Sequence, residues 1–552
     1  MDQKQPGLVI TSAEGSEDAA NRQPESVPEQ KPAFNPLLSN SKTRVIGLDA
    51  VRGFALLGIL MLNIVDFAWP NQAYDSVRAL YYLPESIGAI PDRKAEEKAE
   101  KKEADKDQWK WLEGPKPDLK GAYPNGQLRV AAVSSGWDSA EWAWANVFFA
   151  NKMRTLFCIM FGAGMIYLTE RTRTSSWRHV WLYYRRMLGL LLIGSIHAYL
   201  IWHGDILFMY AAVGLYLFPF RRLTANRLAW IAVSFFVFFV SLVWVGAGVF
   251  HHIRTHGRTL EHRVITNADK LLSEKKIDKN TSPEFLAERR IARKAEIDRL
   301  ELPQRLTLQA YRSLTRRDQA QRPEELTRDI RLYRDGSYFS QVKDRAGEVV
   351  WIQLGVLTPL SLFFLGWLMI LGMSLARNGF FAGQWREETY RFLAFRLVPL
   401  GWLIEAGLTF YRSVSDRETM LSMMVLIPLQ QAVIPMISMG YASAIILAIR
   451  QGRFSVLTDR LASVGRMALS NYLAQSLICT FLFYSFGFGL FGTVRRMWLV
   501  VIVLTIWLIE LWWSPRWLAR HPFGPVEWFW RSLTYLKVQP WRKIPASEPN
   551  PV

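Results

Sequence analysis

Residues 46–68 read IGLDAVRGFALLGILMLNIVDFA, and this stretch decides the fold class. A helix needs about 20 mostly apolar residues to cross the hydrocarbon core of a bilayer. Other apolar stretches of similar character follow along the chain. Together with the first they are residues 46–68, 148–168, 184–201, 204–220, 228–250, 351–374, 391–411, 420–448, 466–489 and 496–514. The sequence therefore predicts an all-α polytopic membrane protein with about ten transmembrane helices.

The charged residues are segregated from these apolar stretches. The 552-residue chain is 50% apolar and 21% charged, and its 67 Lys and Arg exceed its 48 Asp and Glu by a net charge of +19. In a soluble protein such an excess would suggest nucleic acid. No zinc-knuckle spacing and no basic stripe interleaved with aromatic residues accompanies it. The excess is instead typical of positive cytoplasmic loops, so the predicted partner is the lipid bilayer and not nucleic acid.

Arginines in the short loops predict the orientation. They are Arg171, Arg173, Arg178, Arg185 and Arg186 after the second stretch, Arg221, Arg222 and Arg227 after the fourth, Arg377, Arg386 and Arg391 after the sixth, Arg450, Arg453, Arg460 and Arg466 after the eighth, and Arg516, Arg520 and Arg531 after the tenth. All of them lie on one side if the N-terminus is inside, with Arg495 and Arg496 as the exception. We therefore predict a bacterial inner-membrane protein with both ends in the cytoplasm.

The polar segments divide the chain. Residues 1–43 are rich in Gln, Glu, Pro and Ser and predict a disordered cytoplasmic tail. Residues 44–250 would form a five-span bundle with a charged outer insertion near 70–145, and residues 251–350 an extracytoplasmic helical loop. Residues 351–537 would form a second five-span bundle, followed by a cytoplasmic tail at 538–552.

Ionisable residues inside these stretches are functional candidates because their burial in hydrocarbon is costly. His197, Asp205, Asn63 and Arg154 are expected to meet in the outer half of the membrane, together with Asp66, Lys152 and His203. A histidine oriented by a carboxylate can serve as a general base, and it can equally serve as a transporter's proton relay. The structural alternatives are a core histidine bonded to a carbonyl and, for Asp205, an N-cap.

A second group of candidates lies nearer the inner face. Asp49 and Arg52 are one helical turn apart and can pair, either to fix the depth of the helix or to bind an anionic ligand. Asn471 and Gln475 are also one turn apart and could bind substrate or bond across helices. Glu405 and Gln430 are further buried polar residues in other stretches, and bonding between helices is the favoured interpretation for them.

No metal site is predicted from the sequence. Cys158 and Cys479 lie in separate apolar stretches, so they form no cysteine-based metal site or disulfide framework. Four histidines do lie close together after the fifth stretch, at His251, His252, His256 and His262, but in a polar loop they are a weak signal. The chain also has no Gly-rich phosphate loop, no G-x-S-x-G and no H-E-x-x-H. An active site would therefore be built from transmembrane helices.

Several short motifs resemble those of the bacterial YeiB-like membrane family, a domain of unknown function. They are LDAVRGFA at 48–55, RTLF at 154–157, FGAG at 161–164, Ile196-His197, GDIL at 204–207 with Tyr210, GSY at 336–338, LGM at 371–373, GRMALSNY at 465–472 with Gln475-Ser476, and GPVEW at 524–528 with Arg531 and Tyr535. The charged block near 92–120 departs from the family pattern. The resemblance implies kinship with transmembrane acyltransferases such as the lysosomal heparan-α-glucosaminide acetyltransferase, which use cytoplasmic acyl-CoA and a membrane-embedded histidine.

The leading hypothesis is acyl transfer from cytoplasmic acyl-CoA to a carbohydrate, lipid or cell-wall acceptor at the periplasmic face. His197 would act as general base or acyl carrier, oriented by Asp205, while Arg52 would bind the donor phosphates and Arg154 an oxyanion. Acyl-CoA would be a co-substrate, with no tightly bound cofactor. A transporter or exporter without covalent chemistry is the alternative, and an envelope scaffold is a third reading. The sequence leaves the oligomeric state open, a homodimer included.

Overall fold

The computed structural model describes residues 45–70, 86–87, 128–129, 136–170, 177–274, 283–319, 323–359, 361–414 and 422–543. The predicted tail at 1–43, most of the charged insertion near 70–145 and residues 544–552 lie outside the described residues. Within the insertion, the two-residue strands β1 (Ser86–Ile87) and β2 (Leu128–Arg129) pair antiparallel.

The other regular elements of the described chain are helices. The first helices are α1 (Ile46–Ala68), α2 (Gly136–Phe148), α3 (Lys152–Glu170), α4 (Trp177–Ile196), α5 (Leu207–Leu217), α6 (Ala225–Glu274), α7 (Pro283–Asp298), α8 (Leu302–Gln319) and α9 (Pro323–Asp335). The later ones are α10 (Tyr338–Leu357), α11 (Trp367–Arg377), α12 (Glu387–Phe392), α13 (Val398–Val414), α14 (Ile427–Arg450), α15 (Ser455–Arg466), α16 (Ala468–Phe483), α17 (Arg496–Arg520) and α18 (Pro525–Tyr535). Wider π-helical turns occupy His197–Ile201, Leu362–Gly366, Leu393–Leu397 and Ser422–Leu426, and a 3₁₀ turn occupies Phe218–Arg222.

Several of these helices can cross a membrane. Among the described residues, the segments long and apolar enough are Ile46–Ala68, Ala225–Ser273, Glu387–Arg412, Met424–Arg450 and Arg496–Arg520. A sixth crossing results if α10 and Leu362–Arg377, which are bent by 76° at their junction, count as one broken span. The all-α membrane class predicted from the sequence is thus supported, while the count of ten stays a prediction.

The predicted stretch at 204–220 shows why the structure has fewer clear membrane-crossing helices than the ten predicted from the sequence. Its helix, α5, has 11 residues and is therefore about 16 Å long at 1.5 Å per residue. The hydrocarbon core is about 30 Å thick, so α5 does not cross it alone. A hydropathy pattern marks apolar residues whether they face lipid or, as α5 does, the interior of the protein.

Helix α6 runs on past the predicted boundary at residue 250. It has 50 residues, about 75 Å, and continues without a break from its apolar first half to Glu274. Its second half packs against α7 and α8 around a small apolar cluster that includes Leu260, Val264 and Leu308. The helical content predicted for residues 251–350 is present, but part of it belongs to the same helix as the preceding span.

Helix α1 lies at the centre of the bundle and positions the candidate site. Most of its residues are buried, and it contacts α3, α14, α15, α16 and α17. It crosses α15 at close range, which requires glycine at position 53. A Cβ atom on Gly53 would lie only 2.0 Å from the carbonyl oxygen of Leu461. Gly465 is equally tight, since its Cβ would lie 1.9 Å from the carbonyl oxygen of Asp49. These glycines therefore let α1 and α15 pack closely. Arg52 on α1 and Arg466 at the end of α15 consequently lie at the same end of the bundle.

The predicted hairpin between α4 and α5 is present. The π-helical turn ends at Ile201, and α5 begins at Leu207. Arg345 of α10 holds the end of that turn by donating hydrogen bonds to the carbonyls of Ile201 (2.8 Å) and Leu200 (3.3 Å). A cation at a helix C-terminus stabilises its unpaired carbonyls and its dipole, so the hairpin is anchored from α10.

Candidate functional site: an arginine cavity beside a histidine–aspartate pair

His197 and Asp205 face each other across the α4–α5 hairpin. The distance from His197 Nδ1 to Asp205 Oδ2 is 3.3 Å, and the two residues are 1% and 4% exposed. Asp205 also caps α5, because its carboxylate accepts hydrogen bonds from the backbone N–H groups of Leu207 (3.0 Å) and Phe208 (3.1 Å). The cap and the histidine contact use the same side chain, so both roles considered from the sequence are present in the geometry.

This contact fixes the chemistry of the imidazole. A carboxylate only accepts hydrogen bonds, so the shared proton lies on Nδ1 and leaves Nε2 with a basic lone pair. His197 Nε2 is buried and has no hydrogen-bond partner. A buried polar atom without a partner is costly, and such atoms are concentrated at functional sites. The arrangement is one that a general base or a nucleophilic imidazole requires.

Tyr472 of α16 lies between His197 and a neighbouring cavity. The two rings are 5.1 Å apart between centroids, and Tyr472 lines that cavity. The Tyr472 hydroxyl accepts a hydrogen bond from the Ile206 backbone N–H at 3.3 Å, which ties α16 to the hairpin. Ile206 and Leu207 also line the cavity, so its wall is the same hairpin that carries the histidine–aspartate pair.

The cavity has a volume of about 520 Å³ and a mixed lining. Its arginines are Arg52, Arg186, Arg466 and Arg531, and we call it the arginine cavity. Met160, Phe161 and Leu190 are among the apolar side chains that line the rest of it. Binding sites for small molecules have volumes of about 300–1,000 Å³ and combine an apolar lining with a few polar groups.

Positive charge predominates in the arginine cavity. Its four arginines face two carboxylates, Asp49 and Glu527, which leaves a formal charge of +2. Arg531 and Arg52 lie close enough to Arg186 for their charges to oppose its own, and the Arg186 guanidinium stacks 4.2 Å from the Trp530 ring. Arg52 pairs with Asp49 at 3.2 Å, as their spacing predicts. Clustered guanidinium groups with few counter-ions are suited to phosphate groups.

Glu527 of α18 has a structural role at the rim of this cavity. Its carboxylate accepts hydrogen bonds from the backbone N–H groups of Leu469 (2.7 Å) and Ser470 (3.1 Å), at the start of α16. Desolvation raises the pKa of the Glu527 carboxyl, and the hydrogen bonds from Ser470 and the backbone oppose that effect. Glu527 therefore caps the helix that carries Tyr472.

Among the other predicted outer-cluster residues, Asp66 and His203 contact each other, whereas Arg154, Asn63 and Lys152 have different surroundings. The Arg154 side chain is exposed and donates to Asn151 Oδ1 at 3.0 Å, so its surroundings differ from those of buried His197. Asn63 is half-buried on α1. Lys152 is fully buried and pairs with Glu405 of α13 at 3.0 Å. Gln430 of α14 donates to the same Glu405 oxygen at 3.1 Å. The sequence could not join residues so distant along the chain.

Asn471 and Gln475 bond across helices, which is the structural alternative considered for them. Asn471 Nδ2 donates to Ser514 Oγ at 3.0 Å, and Gln475 Nε2 donates to Glu510 Oε2 at 3.0 Å, both between α16 and α17. Glu510 is 3% exposed and was not singled out from the sequence. The sequence does mark Glu510 as a candidate, because it is the sole acidic residue of the apolar stretch 496–514.

Within the described ranges, no group of three or more His, Cys, Asp or Glu side chains is placed to hold a metal ion. The histidines after the fifth stretch lie along α6 instead, where the rings of His252 and His256 stack 4.1 Å apart.

Comparisons with known proteins identify relatives of the chain. Residues 375–537 match a family model described as "Protein of unknown function (DUF418)". The uncharacterized protein YxaH of Bacillus subtilis is 27% identical over 519 residues, which cover 92% of this chain and 98% of YxaH. The uncharacterized protein YeiB of Escherichia coli is 29% identical over 495 residues, or 89% of this chain and 96% of YeiB. No solved structure matches the chain. The resemblance to YeiB-like proteins is thus confirmed.

Proposed function

We propose that this protein, which is similar to YeiB-like proteins of unknown function, is a membrane acyltransferase. It takes an acyl group from acyl-CoA in the arginine cavity and passes it to a carbohydrate, lipid or cell-wall acceptor at the opposite face. One observation carries this proposal: the hairpin that lines the arginine cavity also holds the His197–Asp205 pair. A phosphate site and a basic imidazole thus share one structural element.

The arginine cavity faces the cytoplasm in this proposal. Its Arg186, Arg466 and Arg531 come from three loops or segments that the arginine pattern assigns to the cytoplasmic side. Their convergence on one cavity supports that common side. The proposed protein lies in a bacterial inner membrane with about ten spans and both ends in the cytoplasm.

The cavity suits the two parts of an acyl-CoA. The phosphates of the donor bind the guanidinium groups, where charge-assisted hydrogen bonds are strongest. The thioester and its acyl chain occupy the apolar part, toward Tyr472 and Leu207. His197 Nε2 then either attacks the thioester carbon, expelling the thiolate of CoA, or removes a proton from the acceptor. In both roles Tyr472 has to move aside, since its ring lies between His197 and the cavity.

Donor binding tests the first half of the proposal. Arg52→Ala is expected to weaken binding of acetyl-CoA to the purified protein in detergent by roughly 10- to 150-fold, the loss of about 1.5–3 kcal/mol for a hydrogen bond to a charged group. Isothermal titration calorimetry measures it. Arg453→Ala is the matched control, because Arg453 is an exposed arginine on the same predicted side and does not line the cavity. Equal binding by the Arg52 variant would contradict the donor site.

Transport is the second candidate, and one observation favours it. The chain is bent by 76° between α10 and Leu362–Arg377, and discontinuous helices are common at the substrate sites of transporters. Sealed vesicles given acetyl-CoA labelled in both the acetyl and the CoA part separate the two functions. Acyl transfer is expected to part the labels, with CoA staying on the side of addition. Uptake of both labels in one intact molecule would favour the transporter.

A further inference from the structure

A second histidine–carboxylate pair lies at the other end of α1. His203 Nε2 is 3.3 Å from Asp66 Oδ2, and both side chains are 13% exposed. Asp66 is 14 residues after Arg52 on the same helix, which places them about 21 Å apart along its axis. This pair is therefore well separated from the arginine cavity and does not line it.

The free nitrogen of His203 resembles that of His197. The Asp66 carboxylate can only accept a hydrogen bond, so the proton of a neutral His203 ring lies on Nε2. Nδ1 then keeps a basic lone pair. His203 Nδ1 is buried and has no hydrogen-bond partner. Each imidazole of the hairpin thus has one nitrogen in contact with an aspartate and one buried nitrogen without a hydrogen-bond partner.

Trp202 lies between the two pairs. Its ring centroid is 6.4 Å from that of His197 and 5.8 Å from that of His203, and its side chain is 2% exposed. It packs 4.2 Å from Phe67 of α1. His197 is therefore enclosed by Tyr472 toward the arginine cavity and by Trp202 toward His203.

The surroundings of His203 indicate the kind of ligand. Glu348 of α10 is exposed and lies near enough to Asp66 for their charges to repel. Arg345 of α10 also contacts this hairpin, but it is 1% exposed and donates to the backbone carbonyls of Ile201 and Leu200. Two carboxylates close to each other beside His203 disfavour an anion and favour hydroxyl or amino groups.

We propose that the His203–Asp66 pair is the acceptor site, where the hydroxyl or amine of an uncharged or amino-bearing acceptor binds and loses its proton. This inference rests on the proposed function, with His197 as the acyl carrier. His203 Nδ1 takes the acceptor proton, the acceptor oxygen or nitrogen bonds to the acyl carbon, and the bond from that carbon to His197 Nε2 breaks. The electron pair returns to Nε2, and the proton leaves His203 on the acceptor face. The bound acceptor displaces the Trp202 ring.

The test separates loading of the acyl group from its discharge. Protein in liposomes is loaded with radiolabelled acetyl-CoA, and loss of protein-bound label to water and to added hydroxylamine is followed. His203→Gln is expected to load within about twofold of the unmodified protein and to discharge about 100-fold more slowly, the low end of the effect of general base catalysis. Imidazole added on the acceptor face should restore discharge to His203→Ala. His252→Ala is the control, because that histidine is exposed on α6.

The outcomes are distinguishable. If the unmodified protein carries no label, the proposed function fails and this inference fails with it. If it loads normally but both His203 variants discharge at the unmodified rate, the acceptor site alone is overturned. Slow discharge that imidazole does not restore would give His203 a merely structural role and would also overturn it. Should His203→Ala fail to fold, His203→Gln decides, since its amide can still bond to Asp66.

Discussion

Replacing His197 by alanine is expected to lower acyl transfer by about 10²–10⁴-fold, the contribution of a positioned acid–base group. The imidazole belongs to the hairpin that lines the arginine cavity, its Nδ1 contacts Asp205, and its Nε2 has no hydrogen-bond partner. The measurement is transfer of label from acetyl-CoA by the protein in liposomes. Binding of acetyl-CoA should change little, because His197 does not line the cavity.

Asp205 provides a matched control for that result. Asp205→Asn keeps a side-chain oxygen that can cap α5, and asparagine caps helices as well as aspartate does. It replaces the other oxygen by an amide group that cannot accept the proton of His197 Nδ1. Asp205→Asn should therefore fold normally and still lose much of the transfer rate. Full activity in His197→Ala would show that the pair is a structural cap and that the chemistry lies elsewhere.

Part of the fold could be predicted from local sequence. The stretch 46–68 is apolar throughout, and the structure forms α1 over Ile46–Ala68. The hairpin near 202–205 was also predictable, because polar residues and a glycine interrupt two apolar stretches there. The true end of α6 was not predictable from hydropathy, since a helix continues into water when its residues keep backbone hydrogen bonds and an apolar stripe.

The candidate site was predictable only in pieces. The spacing of Asp49 and Arg52 predicts their contact, because residues three apart in a helix are neighbours. The arginine pattern predicts a common side for the cavity arginines, but not that four of them surround one cavity. The enclosure of His197 by Tyr472 and Trp202 depends on how α16 packs against the hairpin. Such packing between residues distant in sequence is not encoded in local periodicity.

The ion pair between Lys152 and Glu405 leads to the second large expected effect. Lys152 Nζ lies 3.0 Å from Glu405 Oε2 and 2.7 Å from the Asn146 carbonyl oxygen, and the two side chains are 0% and 1% exposed. Lys152→Met would remove the ion-pair partner that contacts the buried Glu405 carboxylate. The expected loss is about 3–5 kcal/mol of stability, the cost of breaking a buried ion pair by removing one partner. Thermal unfolding in detergent, followed by retention of the folded peak on size exclusion, measures it.

The double variant Lys152→Met/Glu405→Gln distinguishes charge from packing. It removes both charges, and the new amide can still accept the hydrogen bond of Gln430, so most of the lost stability should return. If the double variant stays as unstable as the single one, the loss comes from the other contacts of Lys152, such as its hydrogen bond to the Asn146 carbonyl, and not from an unpaired charge. The double variant should also keep acetyl-CoA binding, because neither residue lines the arginine cavity. Loss of binding with normal stability would instead mean that this buried pair is coupled to the donor site.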